Sequence, residues 1–375
     1  MGPGPGHDGE QATPTKGCVG LFLTVGTVKG LFRYRSDDRR HFSAYEPSLV
    51  GSAVYTTAYN PASETLLAGV NNEFYGPTLR RSRDLGETWD NGGAGLAYGP
   101  EDEEKVTRVW SIRPVSARRI YAGVEASGLF YSDDGGDNWS EVKSLRAHPT
   151  HSTWFPGFGG KCLHTIAPDP FEPDRLYIAC STGGCYRSDD GGTSWSPANQ
   201  GVRADFLPDD QQYPESGQCV HRIAVTPARA GRMWLQNHGG VYRSDDGGQH
   251  WISVGDSLPD DFGFGLVAHP HDADQAFVIP LVSSEGMPRW APGNALRVFA
   301  TRDGGHSWTA LGDGLPDAFY AGVLRDAFTS DAEDELGLYV GTTAGDVYAS
   351  ADGGLHWVEV ARHLPRVLSV VASLA

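Results

Sequence analysis

The sequence predicts an all-β fold, a ring of seven four-stranded units, on three observations. A short motif, Ser/Thr-x-Asp-x-Gly-x-x-Trp, recurs in six clean copies every 49–57 residues. Around each copy the same run of short aromatic and β-branched segments repeats, with turn residues between them. The first unit lacks one strand, and the last residues of the chain have the composition to supply it. Radial repetition of such units is a single seven-bladed β-propeller.

The motif copies come in order. The first is worn, Ser36-Asp37-Asp38 followed by Phe42. The clean copies are Ser82-x-Asp84-x-Gly86-x-x-Trp89, Ser132-x-Asp134-x-Gly136-x-x-Trp139, Ser188-x-Asp190-x-Gly192-x-x-Trp195, Ser244-x-Asp246-x-Gly248-x-x-Trp251, Thr301-x-Asp303-x-Gly305-x-x-Trp308 and Ser350-x-Asp352-x-Gly354-x-x-Trp357. Its chemistry is structural. The Asp carboxylate accepts backbone N–H groups of the turn, glycine takes the positive φ there, and the Trp packs back between sheets. His250, His306 and His356 lie inside boxes and are read as structural too.

Each unit reads as four strands, lettered A to D from the axis outward. The third clean unit shows the grammar: Cys162-Leu-His-Thr-Ile-Ala-Pro, then Arg175-Leu-Tyr-Ile-Ala, then Gly184-Cys-Tyr-Arg-Ser188, then the box. Gly20-Leu-Phe-Leu-Thr-Val-Gly matches strand B, so the first unit has no strand A. Arg366-Val-Leu-Ser-Val-Val-Ala is the available partner, and pairing it there removes the free sheet edges. The domain expected is 18–375, preceded by a disordered Gly- and Pro-rich leader over 1–17.

These boxes resemble the Asp-box, or BNR, repeat of sialidases, sortilin-type receptors and xyloglucanase-type hydrolases. In narrower stretches (Gly201-Val-Arg-Ala-Asp-Phe-Leu-Pro, Asn237-His-Gly-Gly-Val-Tyr-Arg-Ser-Asp-Asp) the chain looks like bacterial single-propeller proteins labelled glycosyl hydrolase or sialidase-like. The resemblance implies boxes on the turn between strands C and D, away from the ligand face. It therefore speaks to fold rather than activity. The Phe/Tyr-Arg-Ile-Pro motif of true sialidases is missing, and one propeller stands where xyloglucanase-type enzymes use two.

A net charge of −17 argues against nucleic acid or an anionic membrane as partner. No run of 18 apolar residues and no secretory signal pattern is visible, so a cytoplasmic protein with reduced thiols is expected. Cys180 and Cys185 flank a short turn, where a disulfide is the less favoured alternative.

Site candidates follow from topology. B–C turns and D–A connections share one rim, the top, and the three long connections 140–161, 196–218 and 281–296 all belong to it. Aligned strands A put Tyr55, Trp110, His164, His221 and Tyr320 at one level near the top of the channel. His238 lies on a B–C turn above His221. Neutral imidazoles are common metal ligands, so His164, His221 and His238 are candidates for a divalent metal ion, with structural hydrogen bonding as the alternative. Glu125, Asp205 and Glu215 are carboxylate candidates for catalysis. Tyr55, Trp110, Tyr320, Arg203 and His151 are candidates for holding a small or carbohydrate-like ligand. His269 and His271, toward the opposite rim, read as structural, and Arg325 with Asp326 as a local ion pair. Three functions remain open: a metal-dependent enzyme, a metal-free glycoside hydrolase using two carboxylates, and a non-catalytic binding or assembly scaffold.

Overall fold

The computed structural model describes residues 20–72, 74–157, 159–283 and 288–374. The expected leader and Cys18 lie outside these residues. The described chain is all-β apart from single helical turns, and no helix is long and apolar enough to cross a membrane. Its strands form five four-stranded antiparallel sheets and one eight-stranded sheet. The larger sheet is two four-strand groups, 108–141 and 162–197, joined only through the pair Cys162↔Glu125. This is β-propeller architecture.

The innermost strands are Ala53–Asn60, Arg108–Pro114, Cys162–Pro168, Val220–Val225, Gly263–Ala268, Phe328–Ser330 and Val367–Leu374. The last of these pairs antiparallel with Leu21–Thr27, from Leu21↔Leu374 to Thr27↔Val367. The first sheet is thus made from both ends of the described chain. Apolar side chains fill the spaces between neighbouring sheets. Val142, Leu145, Leu163, Ile178, Tyr186 and Trp195 form one such layer, and Ala179, Val220, Leu235, Tyr242 and Trp251 form the next.

Every clean box makes the same bonds. In the third, Ser188 Oγ donates to Asp190 Oδ1 at 2.8 Å and accepts the Gly192 amide at 2.8 Å, while the Ser194 amide donates to Asp190 Oδ1 at 2.8 Å. Gly191 and Gly192 sit at φ +69° and +92°, left-handed conformations that favour glycine. The worn copy keeps the carboxylate's role: Asp38 Oδ1 accepts the Arg40 and His41 amides at 2.9 and 2.8 Å. Arg39 there adopts φ +59° without a glycine. His250 and His356 each bond the Asp of their own box at 2.7 and 2.8 Å. His269 Nδ1 accepts the amides of His271 and Asp272 at 3.1 Å, a turn-capping role. Cys180 and Cys185 are unbonded. Alternation along the hairpin sends them to opposite faces of the sheet, into different apolar layers.

Candidate functional site

The inner strands share an irregularity near their upper ends. Between Val54↔Val70 and Thr56↔Gly69 the inner strand holds one extra residue, Tyr55. Trp110 is the extra residue between Val109↔Val124 and Ser111↔Gly123. His164 and His221 are extra in the same way in the next two units. Gly263–Leu266 spans one residue more than its partner, and Leu368 is the extra residue opposite Gly26–Thr27. A β-bulge leaves its residue out of the ladder and re-aims the side chain. Here it recurs at one level of successive inner strands and builds a tier of mixed chemistry at the channel mouth.

Tyr55 and Trp110 meet with ring centroids 5.3 Å apart. The Arg108 guanidinium stacks on both rings, at 5.5 and 6.0 Å. Glu125 Oε2 accepts Arg108 Nη1 at 3.0 Å and Trp110 Nε1 at 3.1 Å. Charge pairing, indole donation and stacking therefore fix these four side chains against one another. Beside them opens a cleft of about 490 Å³ lined by Lys29, Tyr55, Asn71, Asn72, Phe74 and Arg108, among others. Phe74 is 90% exposed.

Across the mouth lies an aromatic and imidazole cluster. The His221 ring lies 4.6 Å from that of Phe264 and 5.6 Å from that of His238. Arg289 stacks on Phe262 and Phe264 at 5.5 and 5.6 Å. Arg325 joins the two sides: its guanidinium lies 5.5 Å from Trp110 and 5.9 Å from Phe264, and Nε donates to the His221 carbonyl at 3.1 Å.

The donor atoms of Cys219, His221 and His238 all lie within 4.8 Å of one another. Cys219 Sγ is 3.6 Å from His221 Nε2, and His221 Nδ1 donates to the Gly263 carbonyl at 2.6 Å. Burial, reinforced by Arg325, holds His221 well below the usual imidazole range, and burial lowers His238 too. Both shifts favour the neutral ring. Burial pushes the Cys219 thiol up to about 11, against the opposing pull of Arg325.

His164 stands apart from this group. It is 1% exposed, and both ring nitrogens are engaged: Nε2–H donates to the Val220 carbonyl at 3.0 Å, and Nδ1 lies 3.0 Å from Thr165 Oγ1. Cys219 takes the place expected for His164. Tyr320 also departs from the alignment. It is 66% exposed, off the inner strands, with its ring 5.7 Å from that of Trp290. Arg325 is the residue of that unit which reaches the tier, because the segment ahead of Phe328–Ser330 is irregular. Asp326 pairs with Arg222 across the channel rather than with Arg325.

The remaining candidates spread over the top rim. His151 is buried against Trp154, ring centroids 4.7 Å apart, and burial together with Lys161 takes it down to about 4. Arg203 Nε donates to Gln212 within its own connection at 2.7 Å. Asp205 lies against Gly239, where an added Cβ would meet its carboxylate at 2.7 Å. The exposed Glu215 contributes a backbone carbonyl to Asn199 at 2.9 Å. The sequence does not mark Phe264 or Cys219, and it offers Arg325 only as half of an ion pair, although Cys219-x-His221 has the two-residue period of one strand face.

Comparison with known proteins agrees with this architecture. A model described as "BNR/Asp-box repeat" matches residues 130–141 and 186–197. An oligoxyloglucan-reducing end-specific xyloglucanase of Emericella nidulans is 26% identical over 204 residues, 53% of this chain and 23% of that protein. The photosystem II assembly lipoprotein Ycf48 of a Synechococcus species is 29% identical over 119 residues, 31% of this chain and 29% of that protein. The chain thus spans under a third of the length of either relative. An ancestral GH74 enzyme superposes with a TM-score of 0.53 at 16% identity, covering 85% of this chain and 38% of the other. The chain carries BNR/Asp-box repeats, and the relatives it is similar to are β-propeller proteins.

Proposed function

We propose that the protein recognises a carbohydrate-like ligand at the mouth of a seven-bladed, closed propeller. Seven blades follow if the eight-stranded sheet counts as two. The neighbour contacts between inner strands, which run from each to the next and from Val367–Leu374 to Ala53–Asn60, support closure. The observation that carries the ligand reading is the Tyr55–Trp110 pair, held by Arg108 and Glu125 beside a cleft with two asparagine amides. Aromatic faces take the apolar faces of a sugar ring, and amides, Lys29 and Arg108 supply the directional hydrogen bonds. The xyloglucanase relative is carbohydrate-active by name, which agrees with this choice. Isothermal titration with xyloglucan oligosaccharides tests it. Micromolar to millimolar binding that Tyr55→Ala and Trp110→Ala both remove is expected. Absence of heat with the wild-type protein overturns it.

A second reading gives the mouth an ion and enzymatic chemistry. A tetrahedral metal at ~2.3 Å from sulfur and ~2.05 Å from nitrogen places those two donors about 3.6 Å apart. That is the Cys219–His221 separation, and the Gly263 carbonyl orients the ring as an outer-shell partner does. Cys219, His221 and His238 would hold a thiophilic divalent ion such as zinc, which as a Lewis acid polarises a bound oxygen. Elemental analysis of the untagged protein, before and after Cys219→Ser, should show one ion per chain and then none. A metal-free wild type that also fails to take up zinc eliminates this reading.

A further inference from the structure

The cleft beside the Tyr55–Trp110 pair has an outer brim of hydrophobic side chains that water surrounds. Phe74 and Tyr75 sit at the turn between the strands Thr65–Asn72 and Gly76–Ser82, and Val50 sits in the turn just before the inner strand Ala53–Asn60. These are the three most exposed large hydrophobic side chains among the described residues, at 90, 85 and 73% in that order. Phe74 lines the cleft itself, and Val50 adjoins Gly51, which also lines it. Hydrophobic residues scattered singly over a surface are ordinary, but here the three extremes gather at one cleft.

The repeat sharpens the contrast. Four other units turn at the equivalent place through two residues, Val28–Lys29, Ala126–Ser127, Thr182–Gly183 and His238–Gly239, and none puts a phenyl or phenol ring there. Asn72 holds the exception in shape. Its Oδ1 accepts the Phe74 and Tyr75 amides at 2.9 and 3.4 Å. Its Nδ2 donates to Ser52 Oγ at 3.3 Å, which ties the turn at Phe74 to the one at Val50. An Asx turn of this kind sets the backbone before a ligand arrives, so less ordering remains to be done on binding.

We propose that Phe74 and Tyr75 form an outer subsite continuous with the Tyr55–Trp110 site, which makes the ligand an oligosaccharide chain rather than a single sugar. This rests on the carbohydrate reading of the mouth and extends it. Tyr55 belongs to the innermost strand, whereas Phe74 lies beyond the second, about 7 Å further from the axis at the usual strand spacing. One sugar ring stacked on Tyr55 does not reach Phe74, but the next ring along a chain does. Both aromatic side chains line the same cleft, so successive sugars can present their apolar faces to each in turn, with Val50 and Tyr75 at the brim.

The test is calorimetric titration with two fragments of one polymer, the xylosyl-glucose disaccharide of xyloglucan and the xyloglucan heptasaccharide. The heptasaccharide should bind the wild-type protein more tightly than the disaccharide. Phe74→Ala and Tyr75→Ala should each weaken the heptasaccharide by about fivefold or more, the scale of one lost aromatic contact, and leave the disaccharide unchanged. Tyr55→Ala should weaken both. Phe171→Ala, an exposed ring on the turn between Cys162–Pro168 and Leu176–Ser181, is the control and should bind like wild type. Because the Phe74 and Tyr75 rings bury so little against protein, their variants should melt with the wild type, which separates lost binding from lost fold. Heptasaccharide affinity unchanged in both variants, or an equal loss for both saccharides, overturns the outer subsite and leaves the inner one standing. A wild type that binds neither saccharide overturns the carbohydrate reading and the subsite with it.

Discussion

The Asp-box rim and the bulged tier come from the same repeated unit and have diverged in opposite ways. At the boxes, six copies keep one set of bonds, and even the worn copy preserves its carboxylate-to-amide contacts. At the tier, the bulge persists while its occupant changes from Tyr55 to Trp110, His164, His221 and Leu368. One end of the unit conserves chemistry to hold a turn. The other conserves a backbone geometry and frees the side chain, which is how one scaffold can present a heterogeneous site.

The harshest way to break this comparison is to open the scaffold itself. Deleting residues 367–374 strips the inner strand from the first sheet and exposes the edge of Leu21–Thr27. The expected loss is comparable with the ~5–15 kcal/mol that holds a typical domain folded. Urea denaturation should then show no cooperative transition, whereas an unchanged transition would show the strand dispensable.

Trp195→Ala attacks the box rim alone. Trp195 is 7% exposed in the layer with Val142 and Leu145, so a loss of ~3–5 kcal/mol is expected in the same assay. Ligand titration at the mouth should be unaltered in that variant below its melting point. Altered affinity would mean that the two rims are coupled.

Ser188→Ala is milder. It leaves the buried Gly192 amide without its acceptor, at a cost of ~1–3 kcal/mol. A neutral result would assign the turn's stability to glycine conformation rather than to the serine hydroxyl.

Acid separates the two regions by pH. Burial lowers His164 and His221, so the folded protein binds fewer protons than the unfolded chain. Their contribution is complete above the unfolded value of ~6.5 and falls as pH drops through it. Asp190 behaves differently: bonds from the Ser194 hydroxyl and amide hold it at about 2. Its contribution is present above an unfolded value of ~3.9 and is lost as pH falls toward about 2. Stability measured against pH should therefore fall in two steps, the upper one weakened by His221→Gln. A single step below pH 4 would contradict the buried neutral imidazoles.

Trp110→Ala should have the smallest effect on stability, within about 1 kcal/mol, because its ring is only half-buried. A larger loss would make the tier part of the scaffold.

The box rim was legible in the sequence because its residues are chemically singular and their order is fixed. The missing first strand A was legible for a related reason: Val367–Leu374 had no partner in its own unit. The tier was half legible. Alignment placed Tyr55, Trp110, His164 and His221 at one level, but a bulge leaves no compositional mark, so nothing distinguished a re-aimed side chain from a neighbour in register. Alignment points to Tyr320, whereas Arg325 reaches the tier, because the last unit enters its inner strand through irregular backbone. His164 and His221 occupy equivalent positions, yet the Val220 carbonyl takes the first ring and Cys219 approaches the second. That distinction depends on what the next strand presents, which no single unit encodes.

The pairing of Leu21–Thr27 with Val367–Leu374 also fixes an order of events during synthesis. Of these two, Leu21–Thr27 is translated first and waits for Val367–Leu374, which is made after every other described strand. A ribosome that has yet to make Val367–Leu374 therefore holds a row of finished sheets with one unpaired edge, and emergence of that strand zips it. Termination before Val367 would leave a product with a sticky seam at Leu21–Thr27, open to strand exchange with another such copy.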